Sequence, residues 1–252
     1  IDHSESKIKL EKPLIKLANS EKEYQSMIKL SKNKKDNSIE ILDKSSIELW
    51  SSVFDKKIIG GLISHEDGRL NPIKLMKSLM KSLDKIKVKK IEGNVIRISK
   101  NTNAFNKIWT IYLENNACIN QDYIVLCSGF NTPKLLKPLG HEILIEPILG
   151  QVIELELEYK TMNWNKWPAI VNYQSINFIH HKPNHIIIGA TIEKGPEPNH
   201  INKQQMLNIN NCPPKWITRA KVIQEWSGIR ARPLNEPAPL LKELETGLII
   251  NT

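Results

Sequence analysis

The stretch EWSGIRARP, from Glu225 to Pro233, gathers residues whose types and spacing could do chemistry. It holds two of the chain's five arginines, Arg230 and Arg232, among 36 basic residues that are otherwise lysine. Alternate residues of a strand share a face. A strand from Val222 therefore lines Gln224, Trp226, Gly228, Arg230 and Arg232 along one side, and Ile223, Glu225, Ser227, Ile229 and Ala231 along the other. A guanidinium offers a planar fork to a carboxylate. The indole gives an apolar wall, and glycine leaves room for a ligand. Such a face suits the wall of a pocket. It also suits an arginine on an exposed sheet, and spacing alone favours that plainer reading.

Other clusters promise less. His180, His181 and His185 in HHKPNH match no zinc spacing and fall at a hairpin tip, so solvated histidines and no metal site are expected. SHEDG, Ser64–Gly68, begins like a metalloprotease helix but has no second histidine four residues on. There is no P-loop, GxSxG, CxxC or GxGxxG, and no residue is assigned a catalytic role. The 3 cysteines, Cys118, Cys127 and Cys212, are widely spaced and read as reduced thiols of a cytoplasmic protein.

A net charge of +9 raises the question of nucleic acid. The lysines are spread along the whole chain and arginine is scarce, so no nucleic-acid partner is expected. No apolar run is long enough to span a membrane, and the opening residues lack the apolar stretch of a signal peptide. The chain starts at isoleucine and stops inside the apolar run GLIINT, which leads us to expect a longer parent protein.

These residues need elements to position them. The sequence predicts a strand at Leu14–Leu17, then a helix capped by Asn19 or Ser20 with Glu23 in its first turn. SIEILDKSSIELW reads as strand then helix, and KIIGGLISHEDGRLNP as a loop around its paired glycines. Asn71 and Pro72 open a helix with Leu75, Met76, Leu79, Met80 and Leu83 on one face and lysines on the other. Short strands follow at VKKI, NVIRI, KIWTIYLE and ACINQ, with a turn at Asn115-Asn116. Tyr123–Cys127 is an unbroken apolar run, predicting a strand buried on both faces. It leads through Ser128-Gly129 to a helix at Thr132-Pro133, the local form of a nucleotide-contacting edge, although a single such turn favours the purely structural reading.

From Gly150 the pattern changes. GQVIELELEY alternates Ile153, Leu155 and Leu157 with Glu154, Glu156 and Glu158, as in a half-buried antiparallel strand. A hairpin is predicted around Lys182-Pro183-Asn184. An antiparallel region thus follows an α/β region, and the fold class expected is α/β (α+β) with two interleaved domains.

The segments GGLISHEDGRLNPIKLMKSLMKSL, YIVLCSGFNTPKLL, PILGQVIELELE, IIIGATIE, EWSGIRARP and GLIINT occur in an order and spacing that resembles the FAD-dependent D-amino acid oxidase superfamily. Within it the chain is most similar to the glycine oxidase branch associated with thiamine biosynthesis. The likeness runs from about Leu14 to Thr252. It implies a FAD-binding α/β domain from residues 67–147 and 234–252, and an antiparallel-sheet substrate domain from 8–66 and 148–233, incomplete at both ends. It implies a small amino-acid or amine substrate, oxygen as acceptor, hydride transfer to the flavin with release of an imine and hydrogen peroxide, and a possible homo-oligomer.

Carried over by position, Val95, Ser128 and Gly129 would contact FAD, and Gly150 and Gln151 would open the crossing into the substrate domain. Arg230 would hold the substrate carboxylate, and Phe178 would stand where a tyrosine is common in glycine oxidases. The family's glycine-rich phosphate turn and its glycine-rich segment after the last strand have no counterpart here.

Overall fold

The structure is a computed structural model that describes residues 8–33, 38–54, 57–101, 108–158, 167–208 and 213–252. Cys212 lies outside these residues. The chain divides into two compact units. One runs up to Val88 and takes in Gln151–Thr191 and Asn199–Ser227; the other comprises Lys89–Gly150, Ile192–Pro198 and Gly228–Thr252.

The first unit is built on a large, mostly antiparallel sheet. Its strands lie in the order Ile145–Glu156 (from Gln151 onward), His185–Gly189, Ile176–Lys182, Ile170–Tyr173, Leu14–Ala18, Gly60–Ser64, Ile39–Leu42. Leu14–Ala18 and Ile170–Tyr173 are its parallel pair. The helix Glu21–Asn33 starts as the sequence predicts, with Ser20 as its cap. Ser20 Oγ accepts from the Glu23 amide at 3.4 Å, and the Glu23 carboxylate accepts from the Asn19 amide at 3.1 Å. Two otherwise orphaned donors at the helix start are thereby satisfied.

The paired glycines are not in a loop. Gly60 and Gly61 open the strand Gly60–Ser64, which pairs with a neighbour on each side. A Cβ on Gly60 would run into the Tyr24 ring, and one on Gly61 would lie 2.6 Å from the Lys16 carbonyl oxygen. Glycine here serves close packing, not turning.

One face of this sheet carries the core. The helix Glu48–Phe54 lays Trp50 and Phe54 against Ile15, Leu17, Tyr173, Phe178, Ile186 and Ile188. The Phe54 ring centroid is 4.9 Å from that of Tyr173 and 5.0 Å from that of Phe178. Each such pair adds about 0.5–1.5 kcal/mol to the burial itself. Trp216 closes the cluster and donates its indole N–H to the Val53 carbonyl at 2.8 Å.

The helix Pro72–Lys85 begins as expected, with Asn71 Oδ1 accepting from the Lys74 amide at 3.0 Å. Its apolar stripe stays uncovered, however. Met76 is 57% exposed, and Ile73, Leu79, Met80 and Leu83 are exposed as well. The helix buries Ser78 instead.

The second unit has two small sheets. Val95–Lys100, Trp109–Leu113 and Cys118–Gln121 form an antiparallel set, with Asn116 at φ 64° in the predicted turn. VKKI, Val88–Ile91, forms no strand, and both Val88 and Ile91 are exposed. In the other sheet Leu241–Glu245 pairs antiparallel with Leu248–Asn251, which runs parallel to Ile124–Leu126. The apolar run at Tyr123–Cys127 is buried on one face only. Ile124 and Leu126 enter a core with Ile98, Trp109, Leu135, Leu136, Leu248 and Ile250, whereas Val125 is 54% exposed. Among the described residues no helix is long and apolar enough to cross a membrane.

Candidate functional site

In the second unit, the parallel strands Ile124–Leu126 and Leu248–Asn251 end side by side. The chain leaves the first of them through Cys127, Ser128 and Gly129. Open α/β sheets bind ligands beyond the carboxyl ends of parallel strands. Gly129 sits at φ 58°, a conformation that costs L side chains steric strain. A Cβ built there would meet only the Ala231 side chain, at 3.9 Å. The turn is therefore left-handed and open. Ser128 Oγ and Thr132 Oγ1 lie 2.9 Å apart, which fastens the turn to the start of the helix Thr132–Leu136. Beside it Tyr123, Val125 and Phe130 leave apolar surface uncovered.

Val95 opens the strand Val95–Lys100 and is half-buried against the same core as Ile98. The ladder slips between Val95 and Arg97, so Val95 stands at a bulge. The Arg97 guanidinium stacks 3.7 Å from the centre of the Tyr112 ring, and this arginine is thereby occupied.

Arg230 lies on the strand Lys221–Pro233, as the sequence predicts. It is exposed, and among the described residues no carboxylate pairs with its guanidinium. Arg232 is exposed and unpaired in the same sense. Arg69, by contrast, pairs with Glu11 at 2.6 Å and donates to the His180 carbonyl at 2.6 Å. A Cβ on Gly228 would meet nothing within 4 Å, so this glycine marks open space.

Phe178 is placed differently from a residue that meets substrate. It is 0% exposed, and its ring packs on Phe54 and Trp216 in the core of the first unit. From there it can act on a ligand only by holding the sheet from behind. Gly150 is buried within the strand Ile145–Glu156. Gln151 is buried too. Its amide donates to Thr191 Oγ1 at 2.8 Å, and its side chain donates to the Asn199 carbonyl at 2.8 Å. Thr191 had no signal in the sequence; its role depends on a long-range contact with Gln151.

Of the histidines at the hairpin, His181 is exposed as expected, but it and the partly buried His185 both bond to a buried carboxylate. Glu154, expected on an outer face, is buried, and its Oε1 lies 3.1 Å from His181 Nε2, 2.9 Å from His185 Nδ1 and 3.0 Å from Lys182 Nζ. Burial pushes the Glu154 carboxyl up, but the hydrogen bonds from Lys182 and His181 outweigh it and hold the group below the usual glutamate range. His180 is lowered as well, from different causes. Burial, then the positive charge of Arg69, lowers its affinity for a proton.

The residues of the second unit fit a flavin dinucleotide in part. Its rings need open space at the end of a parallel sheet, and the bare Gly129, with Val125 and Phe130 exposed near it in the chain, leaves such space. Its pyrophosphate needs a run of backbone donors at a helix start. The five-residue helix Thr132–Leu136 has too few aligned peptides to supply it.

The sequence model of the FAD dependent oxidoreductase (DAO) family matches residues 5–252, and the chain belongs to that family. Its fold is similar to that of solved oxidases. Glycine oxidase from Bacillus cereus ATCC 14579 superposes with a TM-score of 0.80 at 18% identity, over 98% of this chain and 68% of that one. Glycine oxidase from Geobacillus kaustophilus gives 0.81 at 17% identity, over 99% and 67%. Iminodiacetate oxidase from Chelativorans sp. BNC1 gives 0.77 at 17% identity, over 94% and 65%. The chain thus spans about two thirds of the length of each. No curated protein sequence matches it. The chain is an oxidoreductase of α/β class, and the FAD-dependent, glycine-oxidase-like fold expected from its motifs is present.

Proposed function

We propose that this chain forms the larger part of an oxidase that takes a small amino acid or amine, glycine-like in size, as its substrate. The observation that carries this reading is the exposed guanidinium of Arg230, which no carboxylate of the described residues neutralises. An arginine left open on a strand of this family has the geometry to take a substrate carboxylate through two parallel N–H donors. Glycine oxidases and an iminodiacetate oxidase share the fold, and each name is that of an enzyme acting on an amino carboxylate.

In this reading residues 67–147 and 234–252 hold FAD, with Ser128, Gly129 and Val95 against it, and residues 8–66 and 148–233 hold the substrate. FAD, when bound, supplies the hydride acceptor. Arg230 fixes the carboxylate and so aims the α-carbon's C–H bond. No side chain needs to serve as a base if the amine arrives neutral. The substrate loses a hydride and a proton and leaves as the imine, and oxygen takes up two electrons and two protons as hydrogen peroxide. Phe178 contributes from behind the sheet by fixing the strand Ile176–Lys182. The exposed, unpaired Cys118 and Cys127 suit a reducing compartment such as the cytoplasm.

A second reading has a specific support. An L-proline dehydrogenase from P. horikoshii shares the fold with a TM-score of 0.77 at 13% identity, so an acceptor other than oxygen fits the same architecture. The test is to purify the whole protein that contains this chain and assay it with glycine, sarcosine and iminodiacetate. Flavin absorbance with stoichiometric peroxide supports the oxidase. Substrate-dependent bleaching without peroxide supports the dehydrogenase. A colourless protein that neither binds FAD nor turns over any of the three overturns both.

A further inference from the structure

The cluster on Glu154 has no part in the reading above. Glu154 sits in the strand Ile145–Glu156 and pairs across the ladder with Ile187. His185 lies two residues from Ile187 on the same face, diagonal to Glu154 and within side-chain reach. The next strand over brings in His181. Its ladder pairs His180 with Ile186 and Lys182 with His185, so His181 is the one extra residue of a bulge. Bulges re-aim side chains, and this one turns His181 towards Glu154. Two imidazole nitrogens and a carboxylate oxygen come within 4.8 Å of one another, each from a different position of a rigid sheet.

We propose that Glu154, His181 and His185 form a binding site for a late first-row divalent cation, zinc being the reference case. The donor set is that of such ions: two neutral imidazoles and one carboxylate. The spacing suits it. Ligand atoms about 2.1 Å from a tetrahedral ion lie about 3.4 Å from one another. The Glu154 oxygen is already 3.1 Å and 2.9 Å from the two nitrogens, so small rotations of the rings admit an ion. The two rings stand edge to face, at 78° to one another with their centroids 6.1 Å apart.

Lys182 is the competitor. Its ammonium lies 3.0 Å from the same oxygen, and its side chain is 48% exposed. The ion would take over its charge while the flexible lysine swings into water. Three protein ligands leave a position for water or a small anion. The ion would pin the hairpin Ile176–Gly189 to the strand Ile145–Glu156.

The chain itself is the object of the test. It is freed of metal with a chelator and titrated with Zn²⁺ by calorimetry, beside the variants His181→Ala, His185→Ala, the double variant, and Lys182→Ala. We expect one equivalent bound by the parent chain. Each single histidine variant should weaken binding at least about tenfold. Lys182→Ala should bind as tightly or more tightly, because it removes the competing cation. A purely structural ion cluster gives the opposite result for Lys182, since its loss then only destabilises. Thermal unfolding with and without Zn²⁺ guards against misfolding: a folded variant that loses the zinc-dependent rise in Tm supports the site. If the double variant binds Zn²⁺ as the parent does, or the parent binds none, the proposal is overturned.

Discussion

The two longest strands of the molecule treat their polar residues in opposite ways. Ile145–Glu156 is buried along most of its length, and its polar groups are consumed by the fold. Gln151 is bound at both ends, and Glu154 draws in Lys182, His181 and His185. Lys221–Pro233 is exposed along nearly all of its length, with Trp226 41% exposed. Glu225 finds Lys203 at 2.7 Å, but Arg230 and Arg232 find no carboxylate among the described residues. A buried polar group must be paired by the protein itself, or its desolvation is uncompensated. An exposed one is free to pair with something else. Partnering, more than residue type, separates the scaffold from the site.

The sharpest way to break this contrast is to truncate an aromatic in each setting. Phe178→Ala removes a fully buried ring from a cluster with Phe54 and Trp216, and should cost about 3–5 kcal/mol of unfolding free energy. Trp226→Ala should cost clearly less, about 1–2 kcal/mol, because 41% of its surface stays in water and it lies outside that cluster. Denaturant titration of the two variants measures both. Equal losses would show that Trp226 is covered in solution.

The next effect belongs to Arg230. Losing a bidentate pair with a substrate carboxylate costs about 2–5 kcal/mol. Arg230→Ala should therefore lower kcat/KM for an amino acid about 30-fold to several thousand-fold, with flavin content unchanged. Arg230→Lys should recover part, since charge returns without the fork. Arg232 faces the same way on the strand. Abolished activity in Arg232→Ala, with Arg230→Ala within about twofold of the parent, would move the assignment to Arg232.

Local chemistry was legible in the sequence, and long-range chemistry was not. Asn71 and Pro72 start a helix by contacts within one turn, and the Asn115-Asn116 turn is held by its own residues, the Asn115 side chain accepting from the Ala117 amide. Both are read directly. Gly60 and Gly61 look like a loop until Lys16 and Tyr24 are known to press on them. Glu154 looks outward by alternation, because alternation names a face without saying what covers it. The cover comes from two other strands, and the bulge at His181 has no mark in the sequence. The exposure of Arg230 on its strand agrees with the plainer reading of the spacing, and its role toward a substrate rests on the family resemblance and is a proposal.

A smaller effect tests the intermediate case, a carboxylate that is partly covered. Glu245 accepts from Lys100 at 2.6 Å and from His141 at 2.8 Å, and the Lys100 bond, followed by the His141 bond, holds its carboxyl below the usual range. A carboxyl whose folded-state pKa is depressed contributes stability that is present above its unfolded-state pKa and lost as pH falls through the folded-state value. Glu245→Gln should therefore cost about 0.2–1 kcal/mol at neutral pH and flatten the fall of stability in acid. Unfolding midpoints measured from neutral pH downwards check the sign. A variant whose acid limb is as steep as the parent's would assign that limb to other carboxylates.

The smallest effect concerns a group with no burial at all. Asp43 lies fully in solvent, yet its Oδ1 accepts from Ser45 Oγ at 2.7 Å, from Ser46 Oγ at 2.8 Å and from the Ser46 amide at 2.9 Å. These bonds, the Ser45 hydroxyl first, lower its pKa to about 2. Hydrogen bonds to the charged form lower a carboxyl's pKa even where no opposite charge is near. An NMR titration of the side-chain carboxyl should find Asp43 ionised well below the ordinary aspartate range. Ser45→Ala should move the value up, because the largest single cause is gone. Ser46→Ala should move it less, since the backbone amide remains a donor. If Ser45→Ala leaves the titration unchanged, the two serine hydroxyls are turned to water in solution. Partnering in this exposed turn would then be weaker than on Glu154, where three cations or imidazoles meet one buried oxygen.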